Sequence, residues 1–119
     1  MDQSSSSTNQ NLSIIHWNTN GQISHYQEFK HTTNSLSPSI MCIQETHLIP
    51  NDSYTFRIYP YTLVRKDSSY GTRRSGVATF IKNNIPYKDI TPNTNIDIQT
   101  IEIYIGSLTI TIKLLPSPG

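Results

Sequence analysis

Two groups of polar residues directly follow short apolar runs in this sequence, and their types could support chemistry. Asn18 and Asn20 come after the run 14–17, and Gln44–His47 comes after the run 40–43. If both runs are strands and lie side by side, their ends meet at one edge of a sheet, where α/β layers usually place their sites. A carboxylate and several carboxamides would then converge at that edge.

Glu45 is the most informative residue of these groups. A carboxylate at the end of a buried strand is costly to desolvate unless a metal ion or a hydrogen-bond partner compensates. One or two carboxylates, with phosphate oxygens and water, form the usual environment of Mg²⁺. Other interpretations stay open: Glu45 as an exposed loop carboxylate, Asn18 and Asn20 as turn residues, and His47 as a solvated loop histidine.

The apolar pattern predicts the elements that position these residues. Leu12–Trp17 and Ser39–Gln44 each indicate a largely buried strand. Between them Ser24 and Gln27 fit a capping box, which predicts the start of a helix that Pro38 ends. The face of this helix that we expect to be buried carries Ile23, Tyr26, Phe29, Thr33 and Leu36.

The remaining sequence favours strands. Tyr61–Val64 and Gly76–Ile81 are two candidates, and the alternating isoleucines on either side of Gly106–Ser107 indicate a hairpin. Residues 65–75 form a polar loop with a basic cluster, which is either a solvated surface or a contact for nucleic acid. The cluster consists of Arg65, Lys66, Arg73 and Arg74.

Length and composition exclude several classes of protein. The chain has 119 residues and a net charge of +1, which predicts one domain without the broad basic footprint of a histone-like binder. No apolar run approaches the ~20 residues of a membrane span. The single Cys42 excludes an internal disulfide and favours an intracellular, unsecreted protein. Residues 1–11 contain no apolar side chain after Met1, so we expect a disordered tail before a domain at 12–119.

Three segments in this order resemble the endonuclease/exonuclease/phosphatase superfamily: HWNTNG (His16–Gly21), MCIQETHL (Met41–Leu48) and RSGVATFI (Arg74–Ile81). Within the superfamily, the chain is most similar to the apurinic-endonuclease-like nuclease of non-LTR retrotransposons of the LINE or jockey type. The QETHL form and the segment Tyr61–Tyr87 are typical of those elements. The resemblance extends from Leu12 to Pro118.

The resemblance implies a reaction and roles for individual residues. The reaction is hydrolysis of a phosphodiester in DNA with Mg²⁺ or Mn²⁺, in which the metal stabilises charge and an activated water attacks in line. Glu45 matches the metal-binding glutamate, and Asn18 the asparagine that helps to hold the scissile phosphate and the metal shell. Asn20 stands where many members have an aspartate near the metal. Arg73, Arg74 and His47 are candidate nucleic-acid contacts, and no small-molecule cofactor is implied.

The sequence also departs from the family pattern. The strand after the hairpin usually ends in an Asn-x-Tyr-x-Pro motif, but residues 111–116 here contain neither asparagine nor tyrosine. The later Asp-x-Asn loop and the final Asp–His pair have no counterpart. We therefore expect the first half of a four-layer α/β sandwich: one mixed sheet with a covering helix. The second sheet would be missing, which leaves an apolar face exposed and favours marginal stability or a partner.

Three functional hypotheses follow. The first is a fragment of a target-nicking retrotransposon endonuclease, inactive in isolation, whose missing half or reverse transcriptase belongs to a nuclear parent polyprotein. The second is a non-catalytic remnant that binds nucleic acid or acts in assembly. The third is another phosphatase or phosphodiesterase of the superfamily. Tyr61–Tyr87 favours the first hypothesis over the third.

Overall fold

The computed structural model describes residues 12–18, 26–47, 58–67, 76–93 and 98–115. These residues form one helix, α1 (Tyr26–Leu36), and seven strands. The strands are β1 (Ile14–Asn18), β2 (Ile40–Gln44), β3 (Tyr61–Lys66), β4 (Val77–Lys82), β5 (Tyr87–Asp89), β6 (Gln99–Ile105) and β7 (Leu108–Leu114). One sheet has the order β1-β2-β4-β3 and the other the order β5-β6-β7. The expected fold class, α+β with a mixed sheet, is confirmed. The predicted tail 1–11, the helix cap at Ser24 and Ile23 lie outside the described residues.

Strand β2 lies inside the first sheet, with β1 parallel on one side and β4 antiparallel on the other. Ile40, Met41 and Ile43 have no exposed surface, and Cys42 is 5% exposed. A strand that is covered on both faces needs a continuous apolar run, which is what the sequence has at this position. The prediction of a buried second strand is confirmed.

The two faces of the first sheet pack against different layers. On one face Met41 and Ile43 of β2 cluster with Phe80 of β4 and with Ile58. The Thr33 hydroxyl of α1 lies 3.8 Å from the Met41 sulfur, which places the helix over this face. The opposite face buries a second apolar cluster, made of Ile40, Cys42, Val77 and Ile81 with Ile101, Ile103 and Leu114 of the second sheet.

The second sheet corrects the expectation that an apolar face would be left exposed. Strand β6 alternates buried isoleucines with half-buried polar residues, so its sheet has one apolar face that must be covered. That face packs on β2 and β4. Strand β5 was not predicted, because three residues with the sequence Tyr-Lys-Asp are too short and too polar to show a period. The hairpin at Gly106–Ser107 and the turn after β4 are confirmed.

Two predictions of burial were wrong. Strand β1 is not largely buried, because it lies at the edge of its sheet; its residues alternate between exposed and half-buried, and Ile14 is 45% exposed. Leu36 is 57% exposed, because it is the last helical residue and the chain turns away at Ser37 with a φ of 46°. Thr33, which lies on the same predicted face of the helix, is fully buried.

A buried polar bridge joins the two sheets. The Thr79 hydroxyl of β4 donates to Gln99 Oε1 of β6 at 2.6 Å, and Gln99 Nε2 donates to the Val64 carbonyl of β3 at 3.0 Å. Thr79 and Gln99 are 0% and 1% exposed. Because buried polar groups are costly without partners, this bridge fixes how β6 lies across β4 and β3.

We predict that Thr79→Val and Gln99→Leu each lower the free energy of unfolding by about 1 to 3 kcal/mol, since each leaves a buried partner unsatisfied. The double variant should lose clearly less than the sum, because both changes remove the same hydrogen bond. Urea denaturation measures all three values. Thr109→Val, at an exposed position of β7, is the control. Strictly additive losses would show that the bridge contributes nothing.

The buried thiol of Cys42 gives a second prediction. Burial raises the pKa of this thiol from 9.0 to about 11. Below pH 9 the thiol is protonated in both folded and unfolded chains; above it the unfolded chain loses the proton first, so stability falls as the pH rises from about 9 to 11. The thiol should account for about 2 kcal/mol of this loss. The free energies of unfolding of the wild type and of Cys42→Ala, measured across this pH range, check the prediction. The variant should be less stable at pH 9 but should lose less stability between pH 9 and 11. Equal losses would contradict the prediction.

Candidate functional site

The parallel pairing of β1 and β2 brings Asn18 and Glu45 together. Asn18 lies opposite Gln44 in the register, so the residue after Gln44 reaches the end of β1. The Asn18 Nδ2 atom donates to Glu45 Oε2 at 2.8 Å. Two residues that are 27 positions apart in the sequence therefore meet at the carboxyl ends of adjacent parallel strands, as the sequence pattern predicts.

A pair of serines fixes this register at the opposite end of the two strands. The Ser39 amide donates to the Ser13 carbonyl at 2.9 Å and to its hydroxyl at 3.0 Å, while the Ser13 amide donates to the Ser39 hydroxyl at 3.1 Å. The Ile40 amide also donates to the Ser13 carbonyl. A slip of one residue would break these bonds and turn every side chain of β1 to the other face.

In the segment 45–47 after β2, Glu45 and His47 have left-handed backbone conformations, with φ of 54° and 59°. Thr46 between them is 2% exposed, and its amide donates to the Gly76 carbonyl at 3.2 Å. Left-handed conformations of non-glycine residues cost roughly 1 kcal/mol each or more and are concentrated at functional sites. In this segment His47 Nε2 lies 3.7 Å from Glu45 Oε1.

Strand β3 ends at the same edge of the sheet. Lys66 lies opposite Val77, and Val77 lies opposite Gln44, so the end of β3 is two strands from Glu45. Arg65 and Lys66 belong to β3, which corrects their placement in a polar loop. Arg65 pairs with Asp67 through two bonds, Nε–Oδ1 at 3.0 Å and Nη2–Oδ2 at 2.6 Å. Asp67 is not among the residues that the sequence pattern singles out; it reaches this edge because it directly follows the last residue of β3.

The second sheet also reaches this edge. Gln44 Nε2 donates to the Leu115 carbonyl, just after β7, at 2.6 Å. Leu115 lies within the stretch in which the family's tyrosine motif was expected and is absent. The side chain of Gln44 therefore ties the end of β7 to the end of β2, beside Asn18 and Glu45.

The donors at this edge fit a hard divalent cation. Glu45 supplies a carboxylate and Asn18 an amide, and Mg²⁺ is usually held by one or two carboxylates with water and phosphate oxygens completing the shell. Over the described ranges, no group of three or more His, Cys, Asp or Glu residues could hold a metal by itself.

The structure brings together three of the predicted site residues: Asn18, Glu45 and His47. Asn20, Arg73 and Arg74 lie outside the described residues.

Residues 15–117 match the model of the Endonuclease/Exonuclease/phosphatase family. The chain belongs to this family. Solved structures agree with the assignment at the level of the fold. An AP endonuclease from Leishmania major superposes with a TM-score of 0.69 at 16% identity, covering 86% of this chain and 38% of that chain. The fold is thus that of the superfamily's nucleases and phosphodiesterases.

Two further structures show the same likeness. The APE2 catalytic domain from Xenopus laevis has a TM-score of 0.56 at 27% identity, covering 70% of this family member and 28% of that chain. An AP endonuclease from Archaeoglobus fulgidus has a TM-score of 0.56 at 20% identity, and the match covers 85% of this chain and 40% of that chain. The chain therefore spans less than half the length of each of these proteins. A search of curated protein sequences found no significant match. Among the residues that the structure describes, no helix is long and apolar enough to cross a membrane.

The two ends of the β1–β2 pair should respond differently to mutation. Ser39→Ala removes bonds from a buried side chain and should lower the free energy of unfolding by about 1 to 2 kcal/mol. Asn18→Ala should cost less than about 1 kcal/mol, because Asn18 is exposed and water can replace its contact with Glu45. Chemical denaturation of both variants measures the difference. A larger loss for Asn18→Ala would mean that Asn18 serves the fold and not the site.

Proposed function

We propose that this family member forms the metal-binding part of a DNA endonuclease of the non-LTR retrotransposon type. The observation that carries the proposal is the 2.8 Å hydrogen bond between Asn18 and Glu45 at the carboxyl ends of two parallel strands. The family match supports a phosphodiester substrate. The nuclease structures with the same fold support DNA as that substrate.

The retrotransposon type rests on two stretches of sequence. The QETHL motif at 44–48 begins at the last residue of β2 and includes Glu45 and His47. The segment Tyr61–Tyr87 includes β3 and β4, which complete the first sheet. Both stretches contribute to the edge where Asn18 lies. The proposal extends to the complete protein, which would act in the nucleus and carry a reverse transcriptase in the same polyprotein.

The residues at the edge have distinct roles in this proposal. Glu45 would bind Mg²⁺ or Mn²⁺, which when bound supplies positive charge to stabilise the phosphate in the transition state. Asn18 holds one oxygen of that carboxylate through its amide and so fixes the direction in which Glu45 points. Lys66, at the end of β3 on the same sheet edge, is a candidate contact for a phosphate of the DNA backbone. Arg73 and Arg74 follow in the sequence as further candidates for phosphate contacts.

The 119-residue chain alone should not cleave DNA. In-line hydrolysis needs a group that accepts a proton from water and a group that stabilises the leaving oxygen, besides the metal. At the sheet edge where Glu45 lies, the end of β3 adds the carboxylate of Asp67, which is engaged in a bidentate pair with Arg65. We therefore propose that the groups that complete the reaction come from the rest of the complete enzyme.

We predict that the purified chain binds Mn²⁺, and that Glu45→Gln weakens this binding at least about tenfold, because a neutral amide replaces the charged ligand. Water-proton relaxation or electron paramagnetic resonance of Mn²⁺ measures the affinity. Glu102→Gln is the matched control, since Glu102 lies in the middle of β6 and accepts a hydrogen bond from Tyr104. Supercoiled plasmid with Mg²⁺ should remain intact in the presence of the chain.

Two results would contradict parts of the proposal. If Glu45→Gln leaves the binding of Mn²⁺ unchanged, then Glu45 is not a metal ligand. Nicking of the plasmid that Glu45→Gln abolishes would show that the chain is active alone. Glu45-dependent hydrolysis of small phosphate esters, with no effect on DNA, would favour a phosphatase of the same superfamily.

A further inference from the structure

His47 lies beside the carboxylate that we propose as the metal ligand. Its Nε2 atom is 3.7 Å from Glu45 Oε1, whereas Asn18 contacts the other oxygen, Oε2. The side chains of His47 and Glu45 are 26% and 22% exposed, so both are partly shielded from water. The two carboxylate oxygens thus have different neighbours: an amide donor on one side and an imidazole nitrogen on the other.

We propose that Glu45 Oε1 and His47 Nε2 together bind the metal ion, and that His47 strengthens the binding of ions such as Co²⁺ and Zn²⁺ more than the binding of Mg²⁺. The inference rests on the proposed metal-binding function of Glu45 and adds a second ligand to it. Two ligands of a tetrahedral ion, each about 2.1 Å from the metal, lie about 3.4 Å apart. A small rotation of either side chain from the observed 3.7 Å reaches this separation.

The backbone holds His47 in place for this role. Its backbone has a left-handed conformation, with a φ of 59°, and its side chain lies beside that of Glu45 two residues earlier. Between them, the Thr46 amide donates to the Gly76 carbonyl, just before β4. The imidazole is therefore carried by a segment that is hydrogen-bonded to the sheet.

The chemistry of the two donors explains why His47 affects these ions differently. Mg²⁺ is a hard ion that takes oxygen ligands and keeps several waters, so an imidazole adds little to its binding. Zn²⁺ and Co²⁺ bind imidazole nitrogen well, and a carboxylate with an imidazole is a common part of their sites. The same edge can thus accept Mg²⁺ through Glu45 and hold a nitrogen-accepting ion more tightly through both residues.

Titration of the full chain with Co²⁺ tests the inference. Co²⁺ bound to imidazole shifts the proton resonances of the ring far outside their normal range, so proton NMR identifies the histidine ligand directly. His47→Asn is the test variant, because asparagine tolerates the left-handed backbone but lacks the ring nitrogen. His16→Asn is the matched control: His16 is an exposed histidine on β1, two residues before Asn18.

We expect His47→Asn to remove the shifted histidine resonances and to weaken Co²⁺ binding at least about tenfold. Binding of Mg²⁺, measured by competition, should change less than about threefold. His16→Asn should change neither, and circular dichroism checks that both variants fold.

The other outcomes separate this inference from the proposed function. If Co²⁺ binding depends on Glu45 but no shifted histidine resonance depends on His47, then His47 is not a ligand. The metal function of Glu45 would stand in that case. If Glu45→Gln leaves the binding of both ions unchanged, the proposed function fails and this inference fails with it.

Discussion

The pairing of β2 with β1 in a single register is the constraint on which the rest of the structure depends. Strand β2 has a neighbour on each side and a layer over each face, so its side chains form the centre of both apolar clusters. The serine pair at one end of β1 and β2 sets the register, and the contact between Asn18 and Glu45 at the other end follows from it. The site is thus a consequence of how the core strand is aligned.

The interior and the candidate site are held together by different forces. Between the sheets, isoleucine, valine and leucine side chains remove apolar surface from water without fixing a direction. At the edge near Glu45, the Gln44 side chain makes a directional bond across the sheets to the Leu115 carbonyl, and in the interior the buried Gln99 side chain makes another to the Val64 carbonyl. Water reaches a sheet edge, so apolar contact alone would leave the strand ends loosely placed. The amide bonds give the site a fixed relation to both sheets.

The sequence predicted the parts of the fold that depend on short-range patterns. The apolar runs around Ile14 and Ile40, separated by one helix, led to two adjacent parallel strands and hence to Asn18 beside Glu45. The alternation around Gly106 led to the β6–β7 hairpin. Both features follow from the local spacing of apolar residues and from the short segments that connect the strands.

What the sequence did not predict depends on contacts between distant segments. The apolar face of β6 shows that the strand must be covered, but not that β2 and β4 cover it. The edge position of β1, and so the exposure of Ile14, follows from the strand order of the whole sheet. The pairing of β3 with β4 places Asp67 at the sheet edge where the site lies, and only the structure shows that Asp67 pairs with Arg65.

The segment after β2 combines an unusual backbone conformation with the residues of the proposed site. Glycine or asparagine would adopt the left-handed conformations of positions 45 and 47 at less cost than glutamate or histidine. The hydrogen bond to Gly76 uses only the main chain of Thr46, so the backbone of this segment does not itself require a carboxylate and an imidazole on either side. The metal-binding roles proposed for Glu45 and His47 would account for side chains that this backbone does not select.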